Sequence, residues 1–358
     1  MRAEVVDRVI PLAIVKNGHD PPCHLTDFAA SNGNLTNAGN RVKGGVGHGC
    51  LSEGGRCGVA GALACDQPPE DGSLAIMAGT LPRLLAIDID GTLTTPQHDI
   101  SDRTAAAVGE AIAAGIQVVL ATGRRYRDSL WVAERLGVTL PLVTTAGALI
   151  KDPTHHATQF RAAFADGVLG GVLRLIDAAG HEAVVYTDSF SDGFDFHCRG
   201  FDIGSEGLRS YLDRNRSLAR LTPTLHEQPP ADSFAAFCMG PKDAMLELEE
   251  AISAAFAKTT SVHVIRSPRY RGYLCEIAPA GVTKWSGIQQ LAGACGISAA
   301  DIWAVGDDVN DLPMIRNAGL GVAMGNADQR VQDAADRVTA ANDADGLAIL
   351  IEELLGTR

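Results

Sequence analysis

The sequence predicts an α/β protein built on a Rossmann-like parallel sheet with helices on both faces, with an inserted α+β domain. Continuous apolar runs such as LLAIDI (84–89) have the composition of strands buried on both faces. Helical segments that end at glycine alternate with these runs, as in a parallel sheet. The alternation stops over 151–277 and then returns, which indicates an insertion.

The first part of the sheet domain is predicted over 81–150. After LLAIDI, the segment SDRTAAAVGEAIAAG predicts a helix with Ser101 as its N-cap and Gly115 just past its C-terminus. The strand IQVVLATG, the helix YRDSLWVAERLG and a third strand, PLVTTAG, follow. We expect all three strands to lie in one parallel sheet.

The second part of the sheet domain is predicted over 278–358. Its pattern is a helix from TKWSGIQQLAGACG, a strand from DIWAVGDD, a short helix from NDLPMIRNAG and a strand from GLGVAMG. The helix ADQRVQDAA, the strand DRVT and a last helix near ADGLAILIEELL complete it.

The predicted insertion over 151–277 has a different texture. AVVYTDSF, SFAAFCMG and YLCEIAP are typical of strands, and AMLELEEAISAAFA is a clear amphipathic helix. These elements predict a separate α+β domain.

Residues 1–80 have a composition unlike the rest. They are rich in glycine and contain polar stretches such as SNGNLTNAGN, which predicts an irregular or disordered extension. The domain pattern begins only at MAGTLPRLLAIDIDGTL. One hypothesis is therefore that Met77 is the natural start of the chain.

Charge and hydropathy exclude several classes of partner. The net charge of −13 supplies no basic surplus to neutralise nucleic-acid phosphates or an anionic membrane. No apolar stretch reaches the roughly 18 residues of a membrane span. The acidic N-terminus is a poor targeting signal, and no CxxC pair occurs. We expect a cytoplasmic protein, a monomer or a dimer, whose partner is a small phosphorylated metabolite.

Four polar groups follow predicted strands or open a predicted helix. Each group alone would be a turn, a helix cap or a solvated charge. Together they fall at the carboxyl edge of one parallel sheet, where ligands of such folds bind. The groups are DIDGT with Asp88 and Asp90, ATGR with Thr122 and Gly123, Lys284, and GDDVND with Asp307, Asn310 and Asp311.

These residue types predict a phosphoryl-transfer site with Mg²⁺ as its cofactor. Asp88, Asp90 and Asp307 offer the hard oxygen ligands that Mg²⁺ prefers, and without a cation their converging charges would repel one another. Residues two apart in a strand point the same way, so the side chains of Asp88 and Asp90 are expected to face one pocket. The Thr122 hydroxyl and the Lys284 ammonium are expected to hold the phosphate.

The four motifs, in this order, resemble those of the haloacid dehalogenase superfamily of aspartate-nucleophile phosphatases. The segments VTKWSGIQQLAGACGI, IWAVGDDVNDLPMIRNAGLGVAMGNA and NDADGL are similar to the C-terminal half of the Cof-type members, which carry a large α+β cap. The resemblance is close over about 81–152 and 277–358. In the inserted domain it extends only to the general pattern of strands and helices. It does not extend to residues 1–76.

The resemblance implies a role for each matching residue. Asp88 would be the nucleophile that forms an aspartyl-phosphate, and Asp90 would be the general acid and base. Mg²⁺ would be held by the Asp88 carboxylate, the Asp90 main-chain carbonyl and Asp307. The remaining matches would bind the substrate phosphate or, for Asp311, orient the groups behind the metal: Thr122, Gly123, Lys284 and Asn310.

The chain departs from the family where Asn-Gly-Ala often ends the third strand. Here the triplet begins with Ala146, and we carry no role over to it. The neighbouring Asp308 is interpreted as an exposed acidic loop residue. The cap is expected to select the substrate, and its candidate contacts are polar loop residues: Asp188, Asp192, His197, Arg266, Arg269 and Arg271.

The predicted function is that of a Mg²⁺-dependent phosphatase acting on a small phosphorylated metabolite, with a sugar phosphate as one candidate. A phosphosugar mutase on the same core is the main alternative. A signalling receiver and a non-catalytic phospho-ligand-binding protein are less favoured. The receiver is less favoured because a whole domain separates Asp88 from Lys284 in this chain. The non-catalytic protein is less favoured because both motif aspartates, Asp88 and Asp90, are present.

Overall fold

The computed structural model describes residues 81–267 and 269–356. The predicted N-terminal extension over 1–80 and the hypothesis about Met77 lie outside the described residues. Within the described part, no helix combines the length and the apolar character needed to cross a membrane.

A five-stranded parallel sheet forms the centre of the fold, with strand order β14-β13-β12-β1-β2. The elements of this sheet domain that precede the insertion are β1 (Leu84–Ile87), α1 (Asp102–Ala113), β2 (Gln117–Leu120) and α2 (Tyr126–Leu136). Both helices begin and end close to their predicted limits, and the Ser101 side chain caps α1 as expected.

A small antiparallel sheet follows, consisting of β3 (Leu142–Thr144), β4 (Leu149–Lys151) and β5 (Thr158–Arg161). The prediction that PLVTTAG is a full strand of the parallel sheet is wrong. This segment meets β2 through one isolated parallel bridge, between Ala121 and Val143, and pairs antiparallel with β4. The backbone turns back at once after Thr144, so the strand has no length left for parallel pairing.

A six-stranded sheet with the order β10-β11-β9-β6-β7-β8 forms the centre of the inserted region. All its pairs are antiparallel except β7 with β8. Its elements are α3 (Val168–Ala178), β6 (Ala183–Thr187), β7 (Phe196–Cys198), α4 (Glu206–Arg214), β8 (Ala219–Leu221), β9 (Ser233–Gly240), α5 (Lys242–Phe256), β10 (Thr260–Arg266) and β11 (Tyr273–Pro279).

The chain then returns to the parallel sheet. The returning elements are α6 (Lys284–Ala294), β12 (Ile302–Gly306), α7 (Leu312–Asn317), β13 (Leu320–Ala323), α8 (Gln329–Gln332), β14 (Arg337–Val338) and α9 (Gly346–Leu355). Helices cover both faces of the sheet, as predicted: side chains of α1, α2 and α9 pack on one face, and those of α6 and α7 pack on the other.

The strand register brings the carboxyl ends of three strands together. Ile87 at the end of β1 pairs with Leu120 of β2 on one side and with Val305 of β12 on the other. The segments that follow these strands therefore leave the sheet side by side. This edge holds the polar motifs found in the sequence.

Candidate active site

Asp88 is the first residue after β1, and its side chain is almost completely buried. Its backbone N–H donates to the Val305 carbonyl at 3.0 Å, which continues the pairing with β12 for one more residue. Its Oδ1 accepts a hydrogen bond from the Lys284 Nζ at 2.6 Å. A buried carboxylate is thus held at the sheet edge by a buried ammonium group.

Lys284 is the first residue of α6, as the sequence predicted. Thr283 caps this helix through its side chain. The N-terminus of α6 packs closely against the loop after β3. A Cβ on Gly147 of this loop would lie only 2.1 Å from the Thr283 carbonyl oxygen, and Gly147 has a φ of +101°. Only glycine fits both the conformation and the space. This contact places Lys284 beneath the site.

The Lys284 ammonium has three acceptors. Besides Asp88, it donates to Asp311 Oδ1 at 2.7 Å and to Asn310 Oδ1 at 3.0 Å. Burial alone would lower the pKa of Lys284, but the charges of Asp311 and Asp88 outweigh it and raise the pKa. Lys284 is therefore a fixed positive charge throughout the physiological range.

An acidic cluster surrounds this ammonium. Carboxylate oxygens of Asp88, Asp307 and Asp311 all lie within 4.8 Å of one another. Burial and the neighbouring carboxylates raise the pKa of Asp88 well above its usual range and that of Asp307 to about 7, despite the opposing charge of Lys284. When ionised, the three carboxylates carry more negative charge than Lys284 can neutralise, and a divalent cation would balance this excess.

Asp311 stabilises the loop that carries Asp307. Its Oδ2 accepts the backbone N–H groups of Asp307 and Asp308, each at 3.1 Å, while its Oδ1 accepts from Lys284. With these bonds, Asp311 is suited to orienting its neighbours. Asp308 is exposed, as interpreted from the sequence, and its side chain also caps the short 3-10 helix Val309–Asp311.

Asp90 lies outside the acidic cluster. Its half-exposed carboxylate receives two hydrogen bonds of 2.7 Å from the Arg124 guanidinium. Burial would raise the pKa of Asp90, but these hydrogen bonds and the Arg124 charge lower it. The two motif carboxylates therefore have different partners: Asp88 bonds Lys284, and Asp90 bonds Arg124.

The DIDGT motif turns tightly at Gly91 and contacts the loop after β12. Gly91 has φ of +82°, and a Cβ there would lie 2.1 Å from Asp307 Oδ2. The Thr92 hydroxyl donates to Asp307 Oδ1 at 3.1 Å. The DIDGT turn thus packs directly on the loop after β12, and Thr92 holds one oxygen of Asp307.

Thr122 is buried beside this turn. The backbone N–H of Ala121 donates to the Ile87 carbonyl at 2.9 Å, so the chain after β2 runs next to Asp88. The Thr122 hydroxyl accepts the Arg124 N–H at 3.1 Å, and Gly123 between them is exposed. Thr122, Gly123 and Asn310 therefore all border the same edge of the sheet.

Arginines of the sheet domain that the sequence analysis did not single out connect this edge to the inserted domain. Arg125 donates to Asn215 Oδ1 at 2.8 Å, and Arg127 donates to Asp195 at 3.0 Å. In the sequence, these arginines belong to the basic run RRYR, which directly follows ATG. It indicates an anionic contact but does not tell which surface supplies it.

The predicted cap contacts have varied surroundings. Asp188 accepts from Lys151 at 2.7 Å, and His197 Nδ1 is 2.7 Å from the Thr222 hydroxyl, so both have partners within the protein. Arg271 bonds Glu206 on the surface. Arg269 is exposed, and its charge helps to lower the pKa of Asp90. Asp192 and Arg266 are exposed.

A strand-end carboxylate bonded to a buried lysine, with an acidic cluster at the same edge of a parallel sheet, is the arrangement of an α/β phosphohydrolase. A family model described as haloacid dehalogenase-like hydrolase matches residues 85–351. The chain belongs to this family. The predicted resemblance to its Cof-type members is confirmed.

Comparisons with known proteins agree with this family assignment. The chain is 28% identical over 299 residues to phosphatase YwpJ of Bacillus subtilis, covering 76% of the chain and all of the relative. It is 30% identical over 250 residues to the HMP-PP phosphatase of Serratia proteamaculans, covering 68% of the chain and 84% of the relative. A crystal structure of a haloacid dehalogenase-like hydrolase from Bacteroides thetaiotaomicron matches with a TM-score of 0.64 at 24% identity, covering 76% and 99% of the two chains. The protein is a phosphatase of this superfamily, a phosphoric monoester hydrolase.

Proposed function

We propose that the protein hydrolyses a small phosphorylated metabolite in a Mg²⁺-dependent reaction, through an aspartyl-phosphate on Asp88. The observation that carries this proposal is the buried pair of Asp88 and Lys284, 2.6 Å apart, at the edge of an acidic cluster. A carboxylate fixed in this way has a defined attacking oxygen, because Lys284 occupies Oδ1 and leaves Oδ2 for the phosphorus.

The metal would be held by the Asp88 carboxylate, the Asp90 main-chain carbonyl and Asp307. The acidic cluster fits this ion because its three carboxylates have oxygens within 4.8 Å of one another and only one lysine, Lys284, bonds to them. When bound, the ion neutralises charge on the phosphate and lowers the pKa values of the carboxylates around it. Asp311, bonded to Lys284 and to the loop of Asp307, would keep both in position.

Asp90 is proposed as the general acid and base. In the first step Asp88 bonds to phosphorus, the bond from phosphorus to the leaving oxygen breaks, and Asp90 gives that oxygen its proton. In the second step Asp90 takes a proton from water, the water oxygen bonds to phosphorus, and the Asp88–phosphorus linkage breaks. Arg124 favours the ionised form of Asp90, so a phosphate that attracts this guanidinium would free Asp90 to carry a proton.

Phosphate binding is proposed for Thr122, Gly123, Lys284 and Asn310. Thr122 supplies a buried hydroxyl, Gly123 an exposed backbone, and Lys284 a fixed charge. Asn310 is already bonded to Lys284 through Oδ1, which leaves its amide group to donate. Phosphoryl transfer depends mainly on such positioning and charge neutralisation.

We further propose that residues 151–277 form the cap that selects the substrate. Ion pairs such as Arg127 with Asp195 hold the six-stranded sheet over the edge that carries Asp88. The HMP-PP phosphatase relative supports a small phosphorylated metabolite as the substrate class. The phosphosugar mutase remains the alternative on the same core.

A phosphate-release screen of metabolites, with and without Mg²⁺, tests this proposal. We expect release of inorganic phosphate from at least one small phosphate monoester, only with Mg²⁺, and without a sugar bisphosphate as activator. Transfer of the phosphoryl group to a second sugar position, with no free phosphate, would instead support the mutase.

A further inference from the structure

Glu276 is a carboxylate in the inserted domain for which the proposed reaction has no use. It lies in β11, with Phe237 of β9 and His263 of β10 as its cross-strand neighbours. Its chain neighbours Cys275 and Ile277 pack in the cluster with α3 and α5. Because side chains alternate along a strand, Glu276 is on the opposite face of the sheet.

That face of the cap sheet meets the sheet domain, because Tyr186 and Ala235, which lie on it, pack in the same core cluster as side chains of β1, α1 and α2. The charges of Lys284 and Asp308, both at the carboxyl edge of the parallel sheet, act on the Glu276 carboxyl. Glu276 in turn acts on Tyr186 of the cap sheet. Together with the packing of Tyr186 and Ala235, these charges indicate that the carboxyl is on the side of the cap sheet that faces the proposed nucleophile and metal ligands.

The Glu276 carboxyl has no protein partner. Among residues 81–267 and 269–356, none donates a hydrogen bond to it or forms an ion pair with it. Burial raises the pKa of Glu276 to about 7, with Lys284 opposing and Asp308 adding to the shift. Glu276 is only partly buried, so a ligand can reach its carboxyl, and clefts that contain a group with a shifted pKa are often binding sites.

The surroundings of Glu276 combine this acceptor with aromatic surface. Tyr186, on the same face of the cap sheet, is only partly buried, and its ring lies 5.6 Å from that of Phe237, which is buried. Aromatic faces bind the apolar faces of small molecules, and a few placed polar groups orient them. The site thus offers a carboxylate acceptor beside a partly exposed aromatic ring.

We infer that Glu276 is a specificity-determining residue that accepts a hydrogen bond from a hydroxyl or amino group of the substrate's leaving group. This inference rests on the proposed function. It defines the substrate class as phosphate monoesters whose leaving group carries such a donor. A leaving group with a second anion opposite Glu276 is rejected, because two desolvated negative charges repel each other.

The test compares substrates with and without a donor. The variants are Glu276→Gln and Glu276→Ala, and the matched control is Glu247→Gln, an exposed residue of α5 on the other side of the cap sheet. The probes are p-nitrophenyl phosphate, which has no donor on its leaving group, and a panel of sugar, polyol and aminopyrimidine monophosphates. Thermal unfolding of each variant reports on folding.

We expect kcat/KM for the best donor-bearing substrate to fall about 10- to 100-fold in Glu276→Ala, the loss typical of a charge-assisted hydrogen bond. Glu276→Gln keeps one acceptor and should lose less. With p-nitrophenyl phosphate, all variants should stay within about threefold of the wild type, and neither Glu276 variant should be less stable.

Three outcomes would overturn the inference: equal losses with both kinds of substrate, no loss with either kind, or wild-type hydrolysis of p-nitrophenyl phosphate with no donor-bearing substrate accepted. In each of these the proposed phosphatase reaction still stands. Failure of the proposed function would look different, because the wild type would then release no phosphate from any probe with Mg²⁺ present.

Discussion

The Lys284 Nζ lies 2.6 Å from Asp88 Oδ1, and both side chains are almost fully buried. The two residues are 196 positions apart in the chain, with the whole inserted domain between them. Their contact joins the two parts of the sheet domain at the edge that carries the proposed nucleophile. Lys284 is therefore expected to serve both the stability of the fold and the chemistry.

Lys284→Ala should destabilise the protein by about 3–5 kcal/mol at neutral pH in EDTA, because it leaves buried carboxylates without their cation. Urea unfolding measures this change. Saturating Mg²⁺ should reduce the loss, since a bound cation offsets the same charges. The control Lys258→Ala removes an exposed lysine and should change stability by less than about 0.5 kcal/mol. Equal effects of the two substitutions would contradict the structural role of Lys284.

Ala146 has φ of 53° and ψ of 31°, a left-handed conformation that is costly for alanine. Ala146→Gly should therefore raise the free energy of unfolding by about 0.5–1 kcal/mol. Ala157→Gly is the control, since Ala157 is exposed and is not among the residues with positive φ. There glycine should lower stability by a similar amount. Two changes of the same sign, measured by denaturant unfolding, would argue against strain at Ala146.

Activity should disappear with EDTA and return with Mg²⁺. Ca²⁺ should restore little, because it takes more oxygen ligands at longer distances than Mg²⁺. It would thus engage both oxygens of Asp88 and leave neither to attack. Phosphate release after dialysis and addition of each cation measures the effect. Full activity with Ca²⁺ alone would be incompatible with Asp88 as nucleophile.

Asp90→Asn should separate the two steps of the reaction. The departure of p-nitrophenolate needs no proton, whereas a sugar alkoxide needs one. We expect a burst of nitrophenol followed by slow turnover, because the intermediate accumulates when water lacks its base. Rapid-mixing kinetics would show the burst. A first step slowed as much with p-nitrophenyl phosphate as with a sugar phosphate would remove Asp90 from the acid/base role.

Much of the architecture is predictable from the sequence because it depends on chain-local patterns. Buried strands such as β1 and β12 are continuous apolar runs, and the rule that parallel strands share a carboxyl edge brings Asp88 and Asp307 together. Lys284 is found by its place at the opening of the predicted helix TKWSGIQQLAGACG and by its place in the motif order.

Side-chain direction at exposed positions is less predictable. Strand alternation predicts that Asp90 points the same way as Asp88, but it does not reveal that Asp90 bonds Arg124, a residue that follows a different strand. This contact depends on how β1 and β2 lie side by side. The unpartnered position of Glu276 has no signature in the sequence either, because it depends on how two distant sheets face each other.

The central claim is that Asp88 carries the phosphoryl group, and trapping it in Asp90→Asn tests this most directly. Acid quenching during turnover of p-nitrophenyl phosphate, followed by peptide mass spectrometry, should find one phosphoryl group on Asp88, removable by hydroxylamine. Asp88→Asn in the same background should carry none and should have lost at least ~10³-fold in kcat as a single variant. A phosphoryl group on another residue, or retention of more than a tenth of wild-type activity by Asp88→Asn, would contradict the account.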